Sequence, residues 1–281
     1  ATLAWNGYRH LELYYGISGI GAVCHTINPR LSPEQMLYII EHAGDRLLFV
    51  DTTFVPIIEK LITKLPNNLM IIVMASSDDS STLSDNFLNY EQLILESSHE
   101  IIWPELPENT AAGLCYTSGT TGNPKGALYS HRSTVLHALT TSLNLGPSLG
   151  DGMKVLPVVP LFHVNAWGLP YAAPLTGTSL IFPGPNLDGA SLFDLMDQEN
   201  VNSAWGVPTV WLGLLEEIRK QERVPSQFQN VVIGGSAAPK SMIEEFESLG
   251  ITVCHAWGMT EMSPVGTQGF LPGSMKKALS Q

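Results

Sequence analysis

Tyr116-Thr117-Ser118-Gly119-Thr120-Thr121-Gly122-Asn123-Pro124-Lys125-Gly126 is the stretch whose reading decides the fold. An apolar run of strand character, 112–117, leads into it, and a second one, 126–129, leads out. Its glycines permit positive φ and let backbone N–H groups approach an anion. Hydroxyl side chains and Lys125 add donors and positive charge around the same point. These are the requirements for holding a triphosphate. The common P-loop ends in Gly-Lys-Ser/Thr and opens a helix. Here Lys125 is followed by Gly126 and a strand-like run, so the spacing predicts a phosphate loop between two strands.

Outward from this loop the chain alternates short apolar runs with helical patterns. On the N-terminal side, strands are expected at 1–5, 22–27, 47–51 and 69–75, with helices at 9–21, 33–43, 54–65 and 90–97. The helix after Ser32 has a capping residue, Pro33 at its first position and Gln35 three residues after the cap. On the C-terminal side, strands are expected at 154–159, 178–182, 202–206, 230–234 and 251–256. Helices are expected at 131–144, 165–174, 189–199, 208–220 and 239–248. Such alternation implies an α/β fold with mostly parallel β-sheets flanked by helices. The polar run 76–81 is expected to be an exposed loop. The irregular stretch 76–110 predicts a boundary between a first α/β subdomain, 1–110, and a second, 111–281.

Composition narrows the function. Among 281 residues, 14 are basic and 26 acidic, a formal charge of −12. A general nucleic-acid binder would need a basic face to displace counterions, so that class is excluded. The three cysteines, Cys24, Cys115 and Cys254, are widely spaced and form no CxxC pair. They read as small buried hydrophobes in a reducing, cytoplasmic setting rather than as a disulfide framework or zinc site. No signal peptide is visible. The most membrane-like stretch, 155–173, carries Pro157, Pro160, Pro170, His163 and Asn165, and a spanning helix is rejected there.

Three further segments carry candidate chemistry. They are Pro160-Leu161-Phe162-His163-Val164-Asn165-Ala166-Trp167, Gly234-Gly235-Ser236-Ala237-Ala238-Pro239 and Ala256-Trp257-Gly258-Met259-Thr260-Glu261. Small residues at Gly234-Gly235, after the run Val231–Ile233, let backbone lie flat against a purine. Thr260 and Glu261 follow an expected strand end, where ligands bind in open α/β sheets. Together with the Thr117–Gly126 loop, and in the same order, these segments resemble the motifs of the adenylate-forming superfamily of acyl-CoA synthetases, luciferases and peptide-adenylation domains. The resemblance covers essentially the whole chain. Trp257 departs from the family's usual Tyr; an indole still stacks on adenine, but the phenol's hydrogen bonding is lost.

The resemblance implies the layered α-β-α-β-α large domain of those enzymes, incomplete here. It assigns ATP to Thr117, Ser118, Gly119, Thr120, Thr121, Gly122, Lys125, Gly235, Ser236, Ala237, Ala256, Trp257, Gly258, Met259 and Thr260. It assigns Mg²⁺ to Thr117 and Glu261, and catalysis to Thr117, Lys125, His163, Thr260 and Glu261. The acyl pocket falls to His163, Val164, Trp167, Gly206, Val207 and Gly234, with Gly206 giving room for an acyl chain. The activity implied is AMP-forming acyl-CoA synthesis from a carboxylic acid, ATP and CoA, with a medium- or long-chain fatty acid as the leading substrate. A ligase for 3-(methylthio)propanoate is the rival within the class. Adenylation for a carrier protein or light emission, or a nucleotide-binding module without catalysis, are the other classes. A homodimer is compatible with the family. The start at Ala1 without Met, and the lack of a Thr-Gly-Asp motif after Glu261, predict a fragment that is inactive by itself.

Overall fold

The computed structural model describes residues 1–76, 86–117, 122–144 and 148–269, with the backbone alone at Asn144. The polar run 76–81 falls mostly outside these residues. Two compact units divide the chain: residues 1–135 with 160–166, and residues 136–159 with 167–281.

The first unit is built on a seven-stranded sheet. Its strands are β1 (Thr2–Leu3), β2 (Cys24–Thr26), β3 (Leu47–Val50), β4 (Met70–Val73), β5 (Leu88–Asn89), β6 (Ala111–Thr117) and β7 (Lys125–Ser130), in the order β5-β4-β3-β1-β2-β6-β7. All pairings are parallel except β6 with β7. Helices α1 (Tyr8–Gly19), α2 (Pro33–Ala43), α3 (Val55–Leu61) and α4 (Tyr90–Glu96) are the crossovers.

Helix α2 shows how sequence makes these elements. Ser32 Oγ accepts from Gln35 N at 3.3 Å, and Gln35 Oε1 accepts from Ser32 N at 3.1 Å, closing a capping box. Gly44 ends the helix in the left-handed region at φ 68°, which a Cβ would oppose. Met36, Ile39 and Ile40, spaced i, i+3, i+4, bury one face against Leu3, Leu48 and Val50.

The second unit carries a six-stranded sheet. Its strands are β8 (Lys154–Pro157), β9 (Ser179–Leu180), β10 (Ser203–Gly206), β11 (Asn230–Ile233), β12 (Thr252–Gly258) and β13 (Val265–Gly269), in the order β13-β12-β11-β10-β8-β9. Only β12 with β13 is antiparallel. Helices α6 (Leu169–Leu175), α7 (Gly189–Gln198), α8 (Pro208–Gln221) and α9 (Lys240–Ser248) belong to this unit, and α5 (His131–Asn144) contributes its C-terminal part. The core gathers Phe193, Trp211, Leu214, Ile218 and Phe246 under the sheet residues Leu156, Val231 and Ile233. Trp211 meets Phe246 edge-on at 6.4 Å.

The α/β expectation of mostly parallel sheets with flanking helices holds. Four details differ. The expected boundary at 110 cuts through the first sheet, because β6 pairs with β2 at Cys24↔Gly113 and carries β7 with it. The helix expected over 54–65 is a 3₁₀ turn, α3 and a second 3₁₀ turn. The one expected over 165–174 starts with five consecutive positive φ values, Val164 to Gly168, and becomes α-helical only at Leu169. The short strands β5 and β13 were not expected at all. Among the described residues, no helix is long and apolar enough to cross a membrane. Cys24, Cys115 and Cys254 are free and buried, and burial lifts the Cys24 thiol to about 12.

One buried histidine makes stability depend on pH. His10 Nδ1 lies 3.1 Å from the Trp5 carbonyl and Nε2 2.9 Å from Thr2 Oγ1, so the neutral ring donates to the first and accepts from the second. Burial lowers its pKa to about 4 and outweighs the opposing effect of the Trp5 carbonyl. The unfolded chain therefore binds the extra proton between about pH 6.5 and 4, and stability falls as pH drops through that window. Urea unfolding followed from pH 7 to 5 is expected to lose up to about 1.4 kcal/mol per pH unit from this group, a slope that His10→Gln removes. In the same assay, Ser32→Ala should cost about 1 kcal/mol at pH 7 with no change in m.

Candidate functional site

The glycine-rich loop is the turn of the β6–β7 hairpin in the first unit. Thr117 and Lys125 are Cα partners, and Thr117 Oγ1 donates to the Lys125 carbonyl at 3.4 Å. The two residues clamp the base of the loop. Ser118, Gly119, Thr120 and Thr121 lie outside the described residues. Gly122 has φ +89°, a value that favours glycine. At Gly126 a Cβ would come within 2.9 Å of Leu114 Cδ1, a contact that a shift of the leucine end would relieve. Lys125 is exposed and forms no ion pair among the described residues, so its charge is uncommitted at the mouth of the loop. Behind it, Tyr116 Oη lies 2.7 Å from His42 Nδ1.

Residues 160–166 also belong to the first unit, and a polar lock fixes them. Asn6 Oδ1 accepts from Leu161 N at 2.7 Å. The Tyr14 hydroxyl donates to the Leu161 carbonyl and lies 3.2 Å from Asn165 Oδ1. Cys115 Sγ donates to the same Asn165 oxygen at 3.4 Å. All four side chains are buried. The lock offsets the left-handed backbone at Val164, Asn165, Ala166 and Trp167, which costs roughly 1–2 kcal/mol per non-glycine residue. His163 stands on this segment with solvent-exposed area, yet protein crowds enough of the ring for desolvation, aided by Arg30, to lower its pKa. The imidazole is neutral at pH 7.

In the second unit, the structure brings together Trp167, Val207, Gly234, Gly235 and Ala256. A Cβ on Gly234 would sit 2.9 Å from Trp167 Cη2 and 2.9 Å from the Ala256 carbonyl. A Cβ on Gly235 would sit 2.9 Å from Val207 Cγ1. The indole thus lies against bare backbone, and any side chain at Gly234 would push it away. Beyond the paired glycines, Ser236 and Ala237 are exposed.

The space beside Gly206 is taken from within the core. A Cβ there would collide with the Trp211 ring at 2.6 Å. The missing side chain therefore admits a core tryptophan, and the space it leaves is filled by that ring.

Thr260 and Glu261 sit on the turn between β12 and β13. Met259 N donates to the Pro264 carbonyl at 3.0 Å, closing the turn. Gly258 has no space for a Cβ beside that same carbonyl, and Gly266 lies under the half-exposed Trp257. Thr260 is buried and Glu261 exposed. Among the described residues, no three His, Cys, Asp or Glu side chains form a metal cluster. One exposed carboxylate suits Mg²⁺, which takes few protein ligands and keeps waters and phosphate oxygens. A cavity of about 660 Å³ elsewhere in the first unit, walled by Leu13, Ile17, Phe49, Leu93 and Leu114, touches none of these motif residues.

Sequence reading missed Asn6, Tyr14 and the part played by Cys115, because their partners are distant in the chain. The only visible signal was the polar Asn6 directly after an apolar run.

The profile of the family described as AMP-binding enzyme matches residues 1–280. A medium-chain-fatty-acid–CoA ligase of Ectopseudomonas oleovorans is 52% identical over 269 residues, covering 95% of this chain and 49% of that protein. A 3-methylmercaptopropionyl-CoA ligase of Ruegeria pomeroyi is 50% identical, covering 95% of this chain and 50% of that protein. The solved structure of an anthranilate CoA ligase in complex with anthranoyl-AMP shares the fold, with a TM-score of 0.85 at 22% identity, covering 97% of this chain and 52% of that one. The chain spans about half the length of the curated relatives it matches.

Tyr14→Phe tests the lock. It leaves the buried Leu161 carbonyl without this donor and should cost about 1–3 kcal/mol in urea unfolding. Tyr8→Phe, at an exposed tyrosine, should stay within about 0.5 kcal/mol.

Proposed function

The chain belongs to the AMP-binding enzyme family, and on that premise we propose that it carries nucleotide- and acid-binding parts of an AMP-forming acyl-CoA ligase. The observation that carries the reading is the β6–β7 hairpin loop, clamped at Thr117 and Lys125, with an exposed Lys125 that has no ion pair among the described residues. That combination suits a polyphosphate.

In this reading Thr117, Ser118, Gly119, Thr120, Thr121, Gly122 and Lys125 hold the phosphates of ATP. Gly235, Ser236, Ala237, Ala256, Trp257, Gly258 and Met259 hold the adenosine side, and Thr260 the α-phosphate. Glu261, with Thr117, would hold Mg²⁺, whose charge offsets negative charge on the phosphate oxygens. A carboxylate oxygen attacks the α-phosphorus, the bond to the bridging oxygen breaks, and pyrophosphate leaves. The sulfur of CoA then attacks the acyl carbon and AMP leaves. Lys125 and loop N–H groups stabilise charge that builds on phosphate oxygens in the first step. Neutral His163 presents a ring nitrogen without adding a second positive charge, and Val164, Trp167, Val207 and Gly234 face the acyl group.

The acid is proposed to be a medium- or long-chain fatty acid, from the 52% identity to the medium-chain ligase. The 50% identity to a 3-methylmercaptopropionyl-CoA ligase supports 3-(methylthio)propanoate as a second reading. A cytoplasmic site of action, in keeping with three free cysteines, and a homodimer belong to the same proposal.

Pyrophosphate release by full-length protein carrying these residues, measured across a panel of carboxylic acids, decides the substrate. Turnover rising with chain length supports the fatty-acid reading, and turnover confined to short acids overturns it. Lys125→Ala and Glu261→Gln should each lower kcat/KM for MgATP by roughly 10²-fold or more. A loss below threefold for both would remove the loop and the turn from the nucleotide site.

A further inference from the structure

We infer that His137, on α5, is a positioning residue that sets the Thr260–Glu261 turn through a hydrogen bond to the backbone just beyond it. The inference rests on the reading of Thr260 and Glu261 as nucleotide and Mg²⁺ residues.

The geometry is specific. Val265 N donates to His137 Nε2 at 3.1 Å, across 128 positions of sequence. Val265 is the first residue of β13, four residues after Glu261, and it follows Pro264, whose carbonyl closes the turn on Met259. The turn is therefore tied at two points: to itself through Met259 and Pro264, and to α5 through His137. On its other side, His137 meets Gly168. A Cβ on Gly168, which has φ +83°, would come within 2.5 Å of His137 Nδ1. Gly168 directly follows Trp167, whose indole covers Gly234. One buried imidazole thus touches the backbone next to two motif segments that the sequence keeps about a hundred residues apart.

The chemistry requires one protonation state. Nε2 can accept the Val265 N–H only while it carries no proton, so the neutral ring has its hydrogen on Nδ1. Burial keeps the ring neutral at pH 7, lowering its pKa to about 4. No function assigned above uses His137, and a packing role alone would call for no acceptor at that nitrogen.

Three readouts test this. In wild-type protein, long-range ¹H–¹⁵N correlation of His137 should show the Nδ1–H tautomer, the minor form of free histidine. In His137→Leu, Val265 amide exchange should speed up at least tenfold, while KM for MgATP rises about tenfold. His137→Gln, whose amide oxygen reaches toward the Nε2 position, should recover most of both. The Nε2–H tautomer, or a His137→Leu protein with unchanged Val265 exchange, overturns the hydrogen bond. Equal losses in the Leu and Gln variants, tracking lower unfolding stability, overturn the positioning role and leave a packing residue. If wild-type full-length protein releases no pyrophosphate with any acid, the nucleotide reading fails, whereas the tautomer and exchange results still judge the His137–Val265 bond by itself.

Discussion

The hydrogen bonds made by Asn6, Tyr14 and Cys115 to residues 160–166 are the constraint on which the rest depends. Without them a run of positive φ values at non-glycine residues would relax toward an ordinary right-handed helix start. Such a relaxation would rotate His163, Val164 and Trp167 away from their present directions, since each residue of a helix turns by about 100° of arc. The buried oxygen of Asn165 faces both a tyrosine hydroxyl and a thiol, so the segment is held by groups that have no water to turn to. The cost of a left-handed backbone is thus met by polar groups buried in the same unit.

A second constraint works through absence of side chains. Gly234 and Gly235 admit the Trp167 indole and the Val207 methyls, and Gly168 admits the His137 ring. Gly206 works the same way for Trp211, but in the core. These four glycines look alike in a sequence, and only the neighbour that fills each gap separates a site glycine from a packing glycine. That is why spacing alone could not show that a core ring fills the Cβ side of Gly206 while the Trp167 indole fills that of Gly234.

Much of the fold was legible because the signals are local. Ser32, Pro33 and Gln35 announce α2 from three adjacent positions, and Trp211, Leu214, Leu215 and Ile218 announce the buried face of α8 by spacing alone. The hairpin around the loop was legible because Lys125-Gly126 does not continue as a helix. What stayed hidden depends on partners far along the chain. Strand β13, Val265–Gly269, has two glycines and little apolar character, and exists because β12 offers it an antiparallel edge. The subdomain boundary was misplaced because the polar stretch before 110 says nothing about which sheet β6 will join. The polar lock on residues 160–166 links positions up to 155 residues apart, beyond any pattern of spacing.

The antiparallel pairs have a consequence of their own. Among the described residues, β6 with β7 and β12 with β13 are the antiparallel pairings, and each lies at one end of its sheet with a candidate motif at its turn. A parallel connection must travel over the sheet through a helix, so its length and direction are dictated by packing. A hairpin closes on itself, so its tip is set by its two stems and, at β12–β13, by the one further tie to α5 through His137. Chemistry placed there can drift, lengthen or be exchanged while the layers beneath stay intact. The fold thus separates the layers from the tips, and a lineage can retune how these tips hold their ligand without renegotiating its core.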